Sequence, residues 1–453
     1  MPSPGSSERL PSQSATGRRS MRSQHGNSSM NAKLSLSVLT LGLTLVGGPA
    51  LAQAPTEIVV QYPYGDVFNE THRRIAEAFA AEHPEIKVTF RAPYKDYEDA
   101  TQRILREAMT GTGPDVTFQA LNRVRALADK KVAAPLDDFV AAEKNFDAEG
   151  FHQAMFDAGS IGGKIYGVPF AVSLPIAYFN LDLVKLAGGD PAALPTTWDG
   201  VITLAAKIDG VKPGVHGMAA EWPISGNWLF QALVFDNGGA MMDADETRVA
   251  FDAEAGHKAI GTLARMVSET KTPNISGNDM RTAFAAGQVG VLLTTTAYVN
   301  TLTKQVGDRF TMKTSPFPGL VPGVSRLPAG GNVMMITATD PAKRKAAWEL
   351  VKFWTGAQGG AIMVETTGYM APNKKAADRL TDFYARNPNQ FTAVAQLPYL
   401  TNWYAFPGAN GLKVTDVIKD RLQSVMDGSR TSEADAVLAD MARDVQALLP
   451  ARN

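Results

Sequence analysis

The 453-residue chain contains no cysteine. That absence excludes disulfides, zinc–thiolate sites, a thiol nucleophile and a lipid-modified cysteine anchor. Histidine is sparse too: five lie beyond residue 52, His72, His83, His152, His216 and His257, and none has a neighbour at metal-ligand spacing. The chain lacks a G-x-S-x-G elbow, an H-E-x-x-H helix, a complete G-x-G-x-x-G after a strand, and a Walker loop, which Gly159 to Lys164 resembles only superficially. No catalytic residue, metal or cofactor is expected. One enzymatic alternative survives, an extracytoplasmic carbohydrate-active enzyme, because a glycosidase needs only two carboxylates about 5 to 9.5 Å apart.

Long apolar runs are missing, with one exception. Leu34 to Val46 is interrupted only by Ser, Thr and Gly; Lys33 precedes it, and Gly47, Gly48, Pro49 and then Ala50, Leu51, Ala52 follow. About 13 residues fall short of the roughly 20 that span a bilayer. A charged start, an apolar core, helix breakers and a small-x-small end are the order of a secretory signal. The expected signal peptide is therefore 30–52, cleaved after Ala52 to leave a periplasmic protein that starts at Gln53, without membrane insertion. Residues 1–29 are polar, rich in Ser and Arg, and read as a doubtful extension ahead of Met30. Losing residues 1–52 leaves 39 basic against 44 acidic residues, a balance that argues against nucleic acid or anionic lipid as partner.

The remaining 401 residues are more than one core usually takes, since single cores stop growing near about 250 to 300 residues. Strand-like and helix-like segments alternate: Glu57–Tyr62, Glu70–Ala81, Ile86–Ala92, Tyr97–Met109 and Val116–Phe118, then Tyr166–Phe170, Ile176–Asn180, Trp198–Lys207, Trp228–Phe235, Ala253–Ser268, Val289–Thr294 and Asn332–Thr337. Such alternation predicts α/β architecture, with mostly parallel sheets flanked by helices. After Pro341 the pattern is almost wholly helical (343–354, 360–366, 378–386, 415–426 and 433–448) and reads as cladding on one lobe.

A series of local patterns, in order, carries a resemblance. Phe79 to Pro84 closes a helix before a strand; Gly113, Pro114, Asp115 and Val116 form a turn into the next; Lys164 to Phe170 leads to Ala177, Tyr178, Phe179, Asn180. Then come Leu194 to Trp198, Phe284 to Val289, Gly330 with Gly331, and Thr367 to Pro372. In this order they resemble the extracellular solute-binding proteins of ABC importers, in the maltose-type and glycerol-3-phosphate-type group. The resemblance implies a two-lobed binding-protein fold that closes by a hinge on a small polar solute, and an importer permease as partner to an expected monomer. It implies a first lobe of 56–171 plus 297–338 and a second of 172–296 plus 339–453, with crossings near 171–174, 294–297 and 337–341. A receptor-linked solute sensor would share the fold.

Candidate ligand contacts come from two sources. The resemblance to the glycerol-3-phosphate-type subgroup, supported by Lys95 to Glu98 and Phe383 to Pro388, implies Tyr97, Ser173, Gly331 and Tyr369, with Thr295 near a further serine of that subgroup. It also implies a carboxylate where Leu121 stands and a phosphate-gripping arginine where the chain has Trp403, Tyr404, Ala405 and Phe406. Aromatic clusters add Tyr64 with Asp66 at the end of the first strand, Trp222 with Trp228, and Trp403. Phosphate recognition calls for a bidentate guanidinium or a nest of amides, whereas flat rings cover the C–H faces of sugars. The expected solute is a sugar, polyol or derivative; glycerol-3-phosphate or a diester of it is the alternative.

Overall fold

The computed structural model describes residues 54–450; the expected extension 1–29, the signal segment 30–52 and its cleavage point fall outside them. β1 (Thr56–Gln61) pairs in parallel with β2 (Ile86–Phe90) and β3 (Val116–Ala120). A small hairpin follows, β4 (Ser160–Ile161) with β5 (Lys164–Ile165), and then β6 (Val168–Ser173). Leu174 alone separates β6 from β7 (Pro175–Asn180), and at that residue the chain leaves the first sheet for the second. β8 (His216–Ala220), β9 (Val289–Thr295) and β10 (Met312–Pro316) complete the second sheet. β11 (Leu327–Pro328) pairs with the distant β13 (Leu400–Thr401), and β12 (Gly330–Ile336) returns to the first sheet between β3 and β6, antiparallel to both.

The spatial orders are β2-β1-β3-β12-β6 and β10-β7-β9-β8. Each sheet is parallel apart from one reversed strand, β12 in the first and β7 in the second. β6, β7, β9 and β12 are buried at every position, which is why their sequences are near-continuous apolar runs without strict alternation. Helix Tyr97–Thr110 starts where the Asp96 side chain accepts the Asp99 amide at 2.8 Å and stops at Gly111, whose φ is 66°. Thr197 caps helix Trp198–Ile208 through the Gly200 amide at 3.2 Å. No helix among the described residues is long and apolar enough to cross a membrane.

Three segments differ from the sequence expectation. β8 was not anticipated: His216-Gly217-Met218-Ala219-Ala220 has no β-branched residue, and Gly217 is there because a Cβ would meet the Ala205 carbonyl oxygen at 1.9 Å. Residues 312–316 were expected in the first lobe, with a return near 294–297, yet they form β10, a strand not anticipated, which pairs with β7 in the second sheet, so the return to the first sheet falls in the loop that follows β10. Helices Pro341–Thr355 and Ala357–Thr366, given to the second lobe, cover the first sheet instead. Their apolar stripe (Leu350, Val351, Trp354, Met363) joins Ile75, Phe79 and Val60 in one core, and the Trp354 indole donates to His72 Nδ1 at 3.1 Å. Only farther on does the chain clad the second sheet, with helix Pro388–Ala395 against β7 and β10 and helices Gly411–Met426 and Ala434–Gln446 against Glu254–Thr270.

Candidate solute-binding cavity

Parallel strands present their carboxyl ends on one side of a sheet, and side chains just beyond those ends are free to face a ligand. Both sheets use these ends to wall one cavity of 520 Å³. Tyr64 and Asp66 follow β1, and Tyr97 follows β2; Ser173 ends β6, Glu221 follows β8, and Thr295 ends β9. The reversed strand β12 contributes its start, Gly330 and Gly331, to the same side.

Nine of the ten candidates named above line this cavity: Tyr64, Asp66, Tyr97, Ser173, Trp228, Thr295, Gly331, Tyr369 and Trp403. Trp222 does not. It is buried with its indole N–H on Asn274 Oδ1 at 3.3 Å, inside the core that also holds Ala220. The chain turns tightly as it leaves β8, the Trp222 amide donating to the Ala220 carbonyl at 2.8 Å with Glu221 at the apex. Glu221 therefore enters the cavity while Ala220 and Trp222 turn into the core, and the tryptophan that reaches the wall is Trp228, the first residue of helix Trp228–Asp236.

The aromatic wall is rigidly seated. Tyr64 meets Tyr97 edge-on at 5.0 Å, and Tyr369 stacks on Phe68 at 5.3 Å. The Tyr97 hydroxyl accepts from Asn332 Nδ2 at 3.1 Å, and burial pushes it up to about 12; Tyr64 and Tyr369 are likewise raised by burial, so all three phenols stay protonated donors. Trp228 donates to the Pro328 carbonyl at 3.0 Å and lies 6.0 Å from Trp403. Gly331 has φ 109°, and a Cβ there would sit 1.9 Å from the Ala171 carbonyl oxygen. Strand packing thus already requires this glycine.

Sequence reasoning missed Arg281 and Tyr298. Arg281, on helix Gly277–Ala285, pairs with Glu221 and lies over Tyr298, its guanidinium carbon 3.9 Å from the ring centre. Thr294 donates to the other Glu221 oxygen at 2.6 Å. No local pattern marks Arg281; only the packing of its helix against β9 brings it to the cavity. Ser225 was missed as well. It lines the cavity with a left-handed backbone (φ 43°), and its buried hydroxyl has no hydrogen-bond partner among the described residues.

The lining carries four carboxylates, Asp66, Asp96, Glu98 and Glu221, and two cations, Lys95 and Arg281. Arg281 is engaged by Glu221, Glu98 is held by Arg123 at 3.1 Å, and Lys95 approaches Asp96 at 3.9 Å. Asp66 has no ion-pair partner among the described residues. The arrangement can offer paired charges and hydroxyls to a polar solute, with rings to cover its apolar faces.

Two α/β bodies whose strand ends converge on a polar, aromatic-walled cavity define a two-lobed solute-binding protein. The chain belongs to the bacterial extracellular solute-binding protein family, whose profile matches residues 74–393. It is 24% identical over 415 residues to the sn-glycerol-3-phosphate-binding periplasmic protein UgpB of Escherichia coli K12, covering 88% of this chain and 93% of that one. Among solved structures it resembles UgpB from Mycobacterium tuberculosis in complex with glycerophosphocholine, with a TM-score of 0.75 and 23% identity over 86% of this chain and 97% of that one. It also resembles a solute-binding protein from Thermotoga lettingae TMO bound with α-D-tagatose, with a TM-score of 0.76 and 18% identity over 87% of this chain and the whole of the other. These relatives are solute-binding proteins, not enzymes.

Proposed function

We propose that this protein is the periplasmic substrate-binding subunit of an ABC importer, acting as a monomer after cleavage at Ala52, and that its solute is a neutral sugar or polyol of one to two rings. The observation that carries the reading is the composition of the cavity wall. Tyrosines and tryptophans from both sheets face a 520 Å³ space, whose one stacked guanidinium is already neutralised by Glu221. A phosphate dianion would have to compete with Glu221 for Arg281 while facing Asp66, whereas sugar hydroxyls can donate to the carboxylate and accept from the guanidinium. Contacts come from Tyr64, Tyr97, Ser173, Thr295, Tyr369 and Trp403, with Trp228 and the Glu221–Arg281 pair added. Because they belong to both bodies, only a closed form makes all of them, and hinge closure is the signal that the permease reads. That task requires no chemistry of the chain.

Thermal shift and calorimetry with maltose, D-tagatose, glycerol-3-phosphate and glycerophosphocholine test the reading. A solute at 100 times its Kd stabilises by about 2.7 kcal/mol, and Trp403→Ala should weaken the best-bound sugar more than about tenfold, since 1.4 kcal/mol corresponds to that factor. Preference for either phosphate compound over both sugars, or full affinity in both Trp403→Ala and Tyr369→Ala, would overturn it.

A further inference from the structure

Beyond the cavity, one polar constellation joins the two bodies. Arg125 lies on helix Val124–Asp129, which follows β3 of the first sheet. Its two terminal nitrogens donate to the two oxygens of Glu246 at 2.8 and 3.0 Å, a bidentate fork. Glu246 sits in the turn between Asp243 and Arg248, a segment that the C-terminal helix Ala434–Gln446 holds through Gln446 to the Thr247 carbonyl and the Val249 amide. The same carboxylate accepts from the Tyr404 hydroxyl at 2.9 Å.

Tyr404 in turn is fixed to the second body. Its amide donates to Gln231 Oε1, and its carbonyl accepts from Gln231 Nε2, both at 3.1 Å, and Gln231 is fully buried in helix Trp228–Asp236. The residue immediately before it is Trp403, a wall of the cavity. A chain of direct bonds therefore runs from the first body, Arg125, through Glu246 and Tyr404 to the residue beside a cavity aromatic.

Glu246 also holds a left-handed backbone, φ 54°. A non-glycine residue in that region costs on the order of 1 to 2 kcal/mol, and such cost persists where surrounding structure over-determines it. A solvent-facing turn residue with no role would not have to be a glutamate there.

Resting on the hinge-closure reading above, we propose that Arg125, Glu246 and Tyr404 form a clasp across the two bodies and act as positioning residues for solute capture. The clasp holds the closed arrangement and sets Trp403 against the solute. It is made only when the bodies are together, so it shifts the open–closed balance in favour of the closed state. Apparent affinity scales with the fraction of protein in the binding-competent state, so residues that never touch solute change its Kd. Part of the fork faces solvent, and the effect is therefore moderate and weakens at high salt.

Small-angle X-ray scattering tests the clasp without any solute. Arg125→Ala and Glu246→Gly should each raise the radius of gyration of the full-length mature protein above that of the parent, and Tyr404→Phe should do so less. Glu246→Gly removes the backbone strain as well as the carboxylate, so it is expected to fold at least as stably as the parent, which separates loss of the clasp from misfolding. Maltose affinity by calorimetry should fall about three- to tenfold in both variants, with the loss largest at low ionic strength. Scattering profiles of Arg125→Ala and Glu246→Gly that match the parent would overturn the proposal. A parent that binds none of the four test compounds would instead count against the sugar-binding reading, while larger radii in the variants would still support the clasp.

Discussion

Arg281 lies with its guanidinium carbon 3.9 Å above the ring centre of Tyr298 while paired with the Glu221 carboxylate. Both members of the ion pair are largely shielded from water, with side-chain exposures of 13% and 10%. Removing one partner of such a pair leaves the other charge uncompensated. Arg281→Gln should therefore lower unfolding stability by about 3 kcal/mol, and the double variant Glu221→Gln with Arg281→Gln should lose less than the single one. Urea denaturation of the three proteins decides this; a double variant less stable than Arg281→Gln would contradict it.

Trp222 and Trp403 separate packing from binding. Trp222→Phe keeps most of the buried apolar volume and should leave solute affinity within about twofold, while Trp222→Ala should cost about 3 to 5 kcal/mol of stability. Trp403→Phe removes part of a cavity wall and should weaken sugar binding more than Trp222→Phe does. Calorimetry and thermal unfolding on the same preparations separate the two effects.

Stability should respond to pH through two buried groups of opposite sign. Burial among Phe68, Phe118 and Phe170 pushes His72 down to about 3 from its ordinary 6.5, so the folded state holds it neutral where the unfolded chain is charged. That contribution is complete above pH 6.5 and is lost as pH falls toward 3. Burial raises the Asp236 carboxyl to about 6 from 3.8, which lowers stability as pH rises from 3.8 through 6. Asp236→Asn should remove the second trend, leaving stability that climbs more steeply from pH 4 to pH 6 than in the parent. Chemical denaturation across that range measures the slope, and an unchanged slope would refute the assignment.

Ser225 carries a left-handed backbone at φ 43° without being glycine, followed by Gly226 at φ 82°. Ser225→Gly should raise stability by about 1 kcal/mol by removing the Cβ penalty. Ser225→Ala keeps that penalty and removes only the unpartnered hydroxyl, which Ser225→Gly removes as well, so it should gain less. Thermal unfolding of the two variants should show this order.

Much of the site was legible because ligand-facing positions sit at recognisable boundaries. Tyr64 and Asp66 could be placed from the end of a β-branched run, and Gly331 and Tyr369 from glycine-marked approaches to a strand and a loop. Trp222 was misplaced because nothing in the sequence marks the strand that ends at Ala220, and so nothing shows which of Glu221 and Trp222 faces the cavity. Arg281 escaped notice because nothing around it in the chain distinguishes it from a surface arginine on an amphipathic helix.

By itself the sequence determined what depends on near neighbours: the alternation of strands and helices, the turn at Gly113, Pro114 and Asp115, and the exclusion of cysteine chemistry. Tertiary structure alone decided what depends on distant partners. An amphipathic stripe such as Leu350, Val351 and Trp354 states that a helix must cover something apolar, but either sheet would satisfy it, and His72 and Phe79 made it the first. In the same way, β10 could have extended either sheet until its backbone hydrogen bonds found β7. Hydrophobic burial is not directional, so it leaves the choice of partner to the complementarity of surfaces far apart in the chain.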